Sequence, residues 1–312
     1  MILLVLGLLS CLVVAASFLW YQDERTATTA ALTAVDRPAM ATPPQPPVNP
    51  DRVRAVEELD SKLPSIAEAH PGTHGIVVFD SYSGESASLN ADQRFVAASL
   101  SKLYALLTLY RAAAKGELSL DDEITMRSSD VWAEGTGVLH RYPVGHTMTL
   151  RECADFLIKE SDNTAEVMLN RSLEEEKIEA ELRRIDARST DYWMPNTTTP
   201  NDILLVLRAI SDPSYTSPKL SAEMLDIMTN TSFEERLPQP LPEGTRVAHK
   251  IGSYESTFSD AGIVFPEGPG GGTDQRYYVV VFSEGATEAE ARGTIHDVSL
   301  AAYRALTLSD AR

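Results

Sequence analysis

Three short segments carry side chains that could act on an acyl group. In Phe95-Val96-Ala97-Ala98-Ser99-Leu100-Ser101-Lys102 a serine precedes a lysine by three residues. On a helix that spacing puts hydroxyl and amine on one face, a turn apart. A serine hydroxyl attacks a carbonyl carbon well only when a base removes its proton, and a lysine kept partly neutral can be that base. A helix N-terminus at Ser99 would also aim backbone N–H groups at the oxyanion that forms. The second segment, Ser161-Asp162-Asn163, offers a hydroxyl that can relay a proton and an amide that can grip a substrate amide. The third, His249-Lys250-Ile251-Gly252, ends the strand-like run RVAHKIG. Its lysine can lend positive charge to an anionic group, and its glycine permits close backbone approach. Taken singly, each has a plainer reading: a capping serine, a polar turn with Asn163 starting a helix, and an edge-strand lysine. Chemistry is argued by all three in one order on one chain.

The elements that must position them can be read from the same sequence. Val53, Val56, Leu59, Leu63 and Ile66 recur at helical spacing behind Pro50, a good first-turn residue. GIVVFD, the turn SYSG and ESASLN read as a β-hairpin. A helix is expected from about Ser99 to Lys115, closed by Gly116, with further helices at 150–158 and 202–210. Strands are expected again at 246–251, 260–265 and 276–282. A closing helix over 288–306 would be capped by Thr287. Strands from both chain ends around a helical middle predict an α+β fold whose antiparallel sheet is assembled from both termini, flanked by helices, with a helical subdomain.

Upstream, residues 1–20 are uncharged and apolar apart from Ser10 and Ser17, long enough to span a bilayer once, and residues 21–50 form a Thr/Ala/Pro-rich tether. An uncleaved single-pass anchor with an extracytoplasmic catalytic domain over 51–312 is the first expectation. Cleavage after Val14-Ala15-Ala16 would make the protein secreted. The loose lipoprotein-like run Leu8-Leu9-Ser10-Cys11 is a weaker reading. A net charge of −18 over 312 residues argues against nucleic-acid partners. Cys11 and Cys153 are placed too differently to pair, and six histidines without ligand spacing predict neither metal nor other cofactor.

The ordered set Ser99-x-x-Lys102, Ser161-Asp162-Asn163 and Lys250-x-Gly252 resembles the penicillin-recognising serine enzymes, and most of all the class A β-lactamase family. The likeness runs from about Gly75 to Leu306 and includes GTGVLHRYPVGHTMTLRE and the TTTP of 197–200. It implies a β-lactamase/transpeptidase-like fold and an acyl-enzyme on Ser99 with Lys102 as base. It further implies proton relay by Ser161 aided by Lys250, and substrate contacts from Asn163, Gly252 and Ser253. The backbone N–H groups of Ser99 and Ser253 would form the oxyanion hole, and Trp132 would wall the cleft. The substrate would be a β-lactam or a cell-wall peptide ending in D-Ala.

Two departures bear on turnover. The family's water-activating glutamate lies in an E-x-x-L-N motif before TTTP, and no such motif occurs here. Within the shortened stretch between Asn163 and Thr197, Asp186 and Asp191 are the acids expected to be able to stand in. Second, Ile251 replaces the hydroxyl residue that binds the substrate carboxylate. Losing a hydrogen bond to a charged group costs about 1.5–3 kcal/mol, with Ser253 or Ser256 the candidates to compensate. Acylation at Ser99 is therefore better supported than efficient deacylation. Two alternatives stand beside that reading: a true β-lactamase with an unconventional base, and a non-catalytic cell-wall-binding domain.

Overall fold

The computed structural model describes residues 49–192, 196–266 and 275–308. The expected anchor at 1–20 and nearly all of the tether lie outside them. Among the described residues no helix is long and apolar enough to cross a membrane. The first helix, α1 (Pro50–Glu68), starts where the proline placed it, with the Asn49 side chain accepting a hydrogen bond from the Asp51 N–H.

The sheet has five strands: β1 (Thr73–Asp80), β2 (Ser86–Leu89), β7 (Arg246–Tyr254), β8 (Thr257–Phe265) and β9 (Tyr277–Glu284). They lie in the order β2-β1-β9-β8-β7, every pair antiparallel. The N-terminal hairpin thus pairs directly with the last strand, from Thr73 opposite Glu284 to Asp80 opposite Tyr277. Strand β9 reads YYVVVFSE because both of its faces are covered. Val279 and Val281 join the core with α1 and the closing helix α8 (Glu288–Leu308). Tyr278, Val280 and Phe282 join the larger core of the helical half. A period of two divides the strand between two hydrophobic layers.

Arg52 fastens the first layer. From α1 it donates to both carboxylate oxygens of buried Asp80 at the end of β1, at 3.1 and 2.7 Å, and to the Leu306 carbonyl of α8. Helix α8 begins with the expected cap, since Thr287 Oγ1 accepts from the Glu290 N–H.

On the other face, short β3 (Phe95–Val96) leads into a 3-10 turn over Ala98–Ser101 and then α2 (Lys102–Ala114). The helix expected from Ser99 therefore opens with a tighter lead-in, and its α-helical part starts at Lys102. Ten of its thirteen residues are buried, so α2 is the axis of the helical half. Around it come β4 (Glu123–Thr125), β5 (Thr147–Thr149), α3 (Leu150–Lys159), α4 (Asn163–Leu173) and α5 (Glu175–Arg184). They are followed by β6 (Thr197–Thr198), α6 (Pro200–Ser211) and α7 (Pro218–Ile227). Strand β6 pairs with β3, which brings TTTP beside the nucleophile turn.

Candidate active site

Where the sheet meets the helical half, the three segments converge. Ser99 sits in the 3-10 turn, half-buried, behind Ala98 at φ +48°. A non-glycine residue in that region is held by its surroundings. Here the holder is Asn196, whose side chain accepts from the Ala98 N–H at 3.2 Å and donates to the Ala98 carbonyl at 3.3 Å. Strand β7 closes on the same turn at Gly252. A Cβ there would lie 2.9 Å from the Ala97 carbonyl and 2.5 Å from Ser259 Oγ. The sequence reading assigned that glycine to an approaching substrate; the backbone that it admits here is the nucleophile turn's own.

Lys102 is 1% exposed, and its Nζ reaches three acceptors: Ser99 Oγ at 2.9 Å, Asn163 Oδ1 at 2.8 Å and Glu166 Oε2 at 3.1 Å. Lys250, equally buried, donates from Nζ to Ser161 Oγ at 2.9 Å and to the Ile251 carbonyl at 2.9 Å. The second bond uses backbone, so the isoleucine side chain leaves Lys250 in place. Burial, then the neighbouring Lys102 charge, pushes the Lys250 ammonium well below its ordinary range, against Asp260 and Glu166. Two lysines and two serines thus form two hydroxyl–amine pairs, Ser99–Lys102 and Ser161–Lys250, bridged by α4.

The Ser161-Asp162-Asn163 turn is clamped by the GTGVL loop. Asp162 Oδ2 accepts from the Val138 and Leu139 N–H groups at 2.6 and 2.8 Å, and its Oδ1 caps α4 through the Ala165 N–H at 2.9 Å. Thr136 Oγ1 donates to the Ser161 carbonyl at 2.7 Å, holding Ser161 at φ +51°. Gly137, at φ +116°, presses so closely on Asp162 that any side chain would collide. Asn163 donates from Nδ2 to the Glu134 carbonyl at 2.9 Å. The Trp132 N–H donates to Thr164 Oγ1 at 3.0 Å, which hangs the half-exposed indole from the loop beside α4.

Ser253, at the exposed end of β7, accepts at Oγ from Arg236 Nη2 at 2.7 Å. Arg236 is itself buried, with Nη1 donating to the Gly252 and Ser259 carbonyls at 2.9 and 2.7 Å. A guanidinium therefore stands behind the residue named to compensate for Ile251. Ser256 lies in the β7–β8 turn, its carbonyl accepting from the Gly285 N–H at 3.0 Å.

Of the two acids expected to replace the missing glutamate, Asp186 stands at the surface. Asp186 follows α5 at φ +70°, 68% exposed and ion-paired with Arg188 at 2.5 Å. Asp191 is exposed, its backbone bridged to Thr197. The carboxylate that does meet Lys102 is Glu166, which also lies 3.0 Å from Ser101 Oγ. Sequence reasoning missed Glu166, Arg236 and Asn196. Only Glu166 had a local signal: it follows Asn163 by three residues on one helix, hence on one face.

The profile of the beta-lactamase enzyme family matches residues 58–306. A β-lactamase of Amycolatopsis lactamdurans is 30% identical over 168 residues, 52% of this chain and 51% of that protein. This chain thus spans about half the length of that relative. Beta-lactamase CTX-M-8 of Citrobacter amalonaticus is 25% identical over 266 residues, 80% of this chain and 88% of its own. Among solved structures, PBP-A superposes with a TM-score of 0.74 at 28% identity, over 84% of this chain and 98% of its own. A PBP-A variant solved as its acyl-enzyme complex with penicillin G gives 0.72 at 27%, over 80% and 96%. An ancestral class A β-lactamase gives 0.71 at 26%, over 78% and 98%. The fold is β-lactamase/transpeptidase-like, with helices flanking an antiparallel sheet.

Proposed function

This chain belongs to the beta-lactamase enzyme family, and from that premise we propose that it is a serine acyl-enzyme hydrolase acting on β-lactams or on cell-wall peptides ending in D-Ala, with the acyl group carried by Ser99. The observation that carries the reading is the pair of hydroxyl–amine contacts made by two buried lysines, Lys102 Nζ to Ser99 Oγ and Lys250 Nζ to Ser161 Oγ, each 2.9 Å. Ion pairing and packing alone give no reason to bury two lysines against two serines. General-base activation of one hydroxyl and proton delivery through the other give one.

In the proposed acylation, Lys102 takes the Ser99 proton as Oγ bonds to the carbonyl carbon, whose π electrons move onto oxygen. The N–H groups of Ser99 and Ser253 receive that oxyanion. When the carbon–nitrogen bond breaks, the leaving nitrogen takes a proton from Ser161, which the lysines replace. Ser253, backed by Arg236, receives the substrate carboxylate where the Ile251 side chain offers no donor.

Incubating the protein with penicillin G and weighing it intact tests the reading. A penicilloyl adduct mapping to Ser99 and absent from Ser99→Ala is expected. An unmodified wild-type protein at millimolar penicillin, with no Ser99-dependent cleavage of D-Ala-D-Ala peptides, would leave the non-catalytic alternative standing.

A further inference from the structure

The three acceptors around Lys102 pose a proton problem. An ammonium has three hydrogens, and Ser99 Oγ, Asn163 Oδ1 and Glu166 Oε2 can take all three. In that state nitrogen has no lone pair to receive the Ser99 proton. Of the three neighbours only Glu166 can accept a proton outright, since an amide oxygen and a hydroxyl are far weaker bases. Its carboxylate is also placed to act beyond Lys102. It is 21% exposed while Lys102 is 1% exposed, so one side is open to water. No more than two hydrogen-bond lengths separate it from Ser99 Oγ, a span that one water can bridge. Asp162, the other acid of this turn, is fully engaged by the Val138, Leu139 and Ala165 N–H groups.

We propose that Glu166, on α4, is the proton acceptor of this site: it draws a proton from Lys102 before acylation and from water in deacylation. The inference rests on the acyl-serine reading and deepens it, supplying from α4 a carboxylate for the role of the absent E-x-x-L-N glutamate. In acylation, a proton moves from Lys102 Nζ to Glu166 Oε2, and the freed nitrogen lone pair takes the Ser99 proton as the Oγ–carbon bond forms. The leaving nitrogen ends with one proton, and the Glu166 proton returns to Lys102. In deacylation, Glu166 takes a proton from water as its oxygen bonds to the acyl carbon. The carbon–Oγ bond then breaks, Ser99 recovers a proton from Lys102, and Lys102 is refilled from Glu166. Both steps balance with water as the only co-reactant. Ser101, with one hydroxyl proton shared between Glu166 Oε1 and the Ala98 carbonyl at 2.8 Å, orients the carboxylate.

The experiment measures acylation by penicillin G and release of the Ser99 adduct separately, by quenched-flow and intact mass, on the full chain. Wild type, Glu166→Gln and Glu166→Asp are compared, with thermal melts to establish folding. Glu166→Gln should slow release by about a hundredfold or more, in the range of general-base contributions. Glu166→Asp, which keeps a carboxylate, should recover at least tenfold over it. Release from Glu166→Gln within threefold of wild type overturns the inference. Equal slowing in the Gln and Asp variants does so too, since it would mark a packing role. A wild-type adduct that persists for a day refutes Glu166 as a working base but leaves the acyl-serine reading intact. Absence of any wild-type adduct refutes both. If Glu166→Gln does not fold, Glu166→Asp is set against wild type. Slowing of both acylation and release by more than threefold supports the inference, and either step staying within threefold of wild type overturns it.

Discussion

His249, one residue before Lys250, offers a quantitative test of how the site strand is held. Its ring is fully buried between two carboxylates. Nδ1 lies 3.0 and 3.1 Å from the oxygens of buried Asp260 on β8, and Nε2 lies 3.4 Å from Glu234. Burial alone would lower the imidazolium pKa, but the Asp260 charge and hydrogen bond, with Glu234, outweigh it and push it up to about 9 from an ordinary 6.5. Native His249 thus keeps its proton over a pH range in which the unfolded chain has lost it. The native state binds one more proton there, so stability falls as pH rises, by about 1.4 kcal/mol per pH unit. The contribution is fully present below pH 6.5 and gone above pH 9, on the order of 3 kcal/mol across the window. Urea unfolding of wild type and His249→Gln, followed by circular dichroism at pH 6.5, 7.5 and 9, tests it. The wild-type advantage should shrink by about 3 kcal/mol between pH 6.5 and 9. A constant difference across the three pH values would refute the charged His249–Asp260 pair.

Three further outcomes follow from the geometry. Lys102→Met should cut penicillin acylation by about 10²–10⁴-fold with the fold retained, the range for a positioned base; a change below threefold would remove Lys102 from the mechanism. Arg236→Gln should weaken acylation by a β-lactam carboxylate about ten- to a hundredfold, yet leave the matching neutral methyl ester nearly unchanged. Equal losses on both would make Arg236 purely structural. Arg52→Met breaks the buried pair with Asp80 and should cost about 3–5 kcal/mol in urea unfolding, while the native fraction still acylates at the wild-type rate.

Much of the fold was legible because its signals are local. Pro50 at a first turn, the hairpin of residues 75–89, Gly116 after a buried helix and the Thr287 cap each act within a few residues of themselves. The chemistry-bearing serines and lysines were legible for another reason. Proton transfer restricts the residue types, and the ordered motifs restrict the positions. The left-handed residues Ala98 and Ser161 gave no such signal, since Asn196 and Thr136, far away in sequence, hold them there.

By itself, then, the sequence determined which groups can do acyl chemistry, and that strands from both chain ends share one sheet around a helical middle. Only the tertiary structure decided what stands next to what. Asp186 had the right chemical type in the expected stretch, but the place beside Lys102 is not its own, since it pairs with Arg188 at the surface. Packing of α4 against α2 gave that place to Glu166. Arg236 and Ser253 meet because β7 and β8 bring their carbonyls to one guanidinium. Hydrogen bonds and ion pairs act over a few ångströms, and which distant residues come that close is fixed by how the two hydrophobic layers pack.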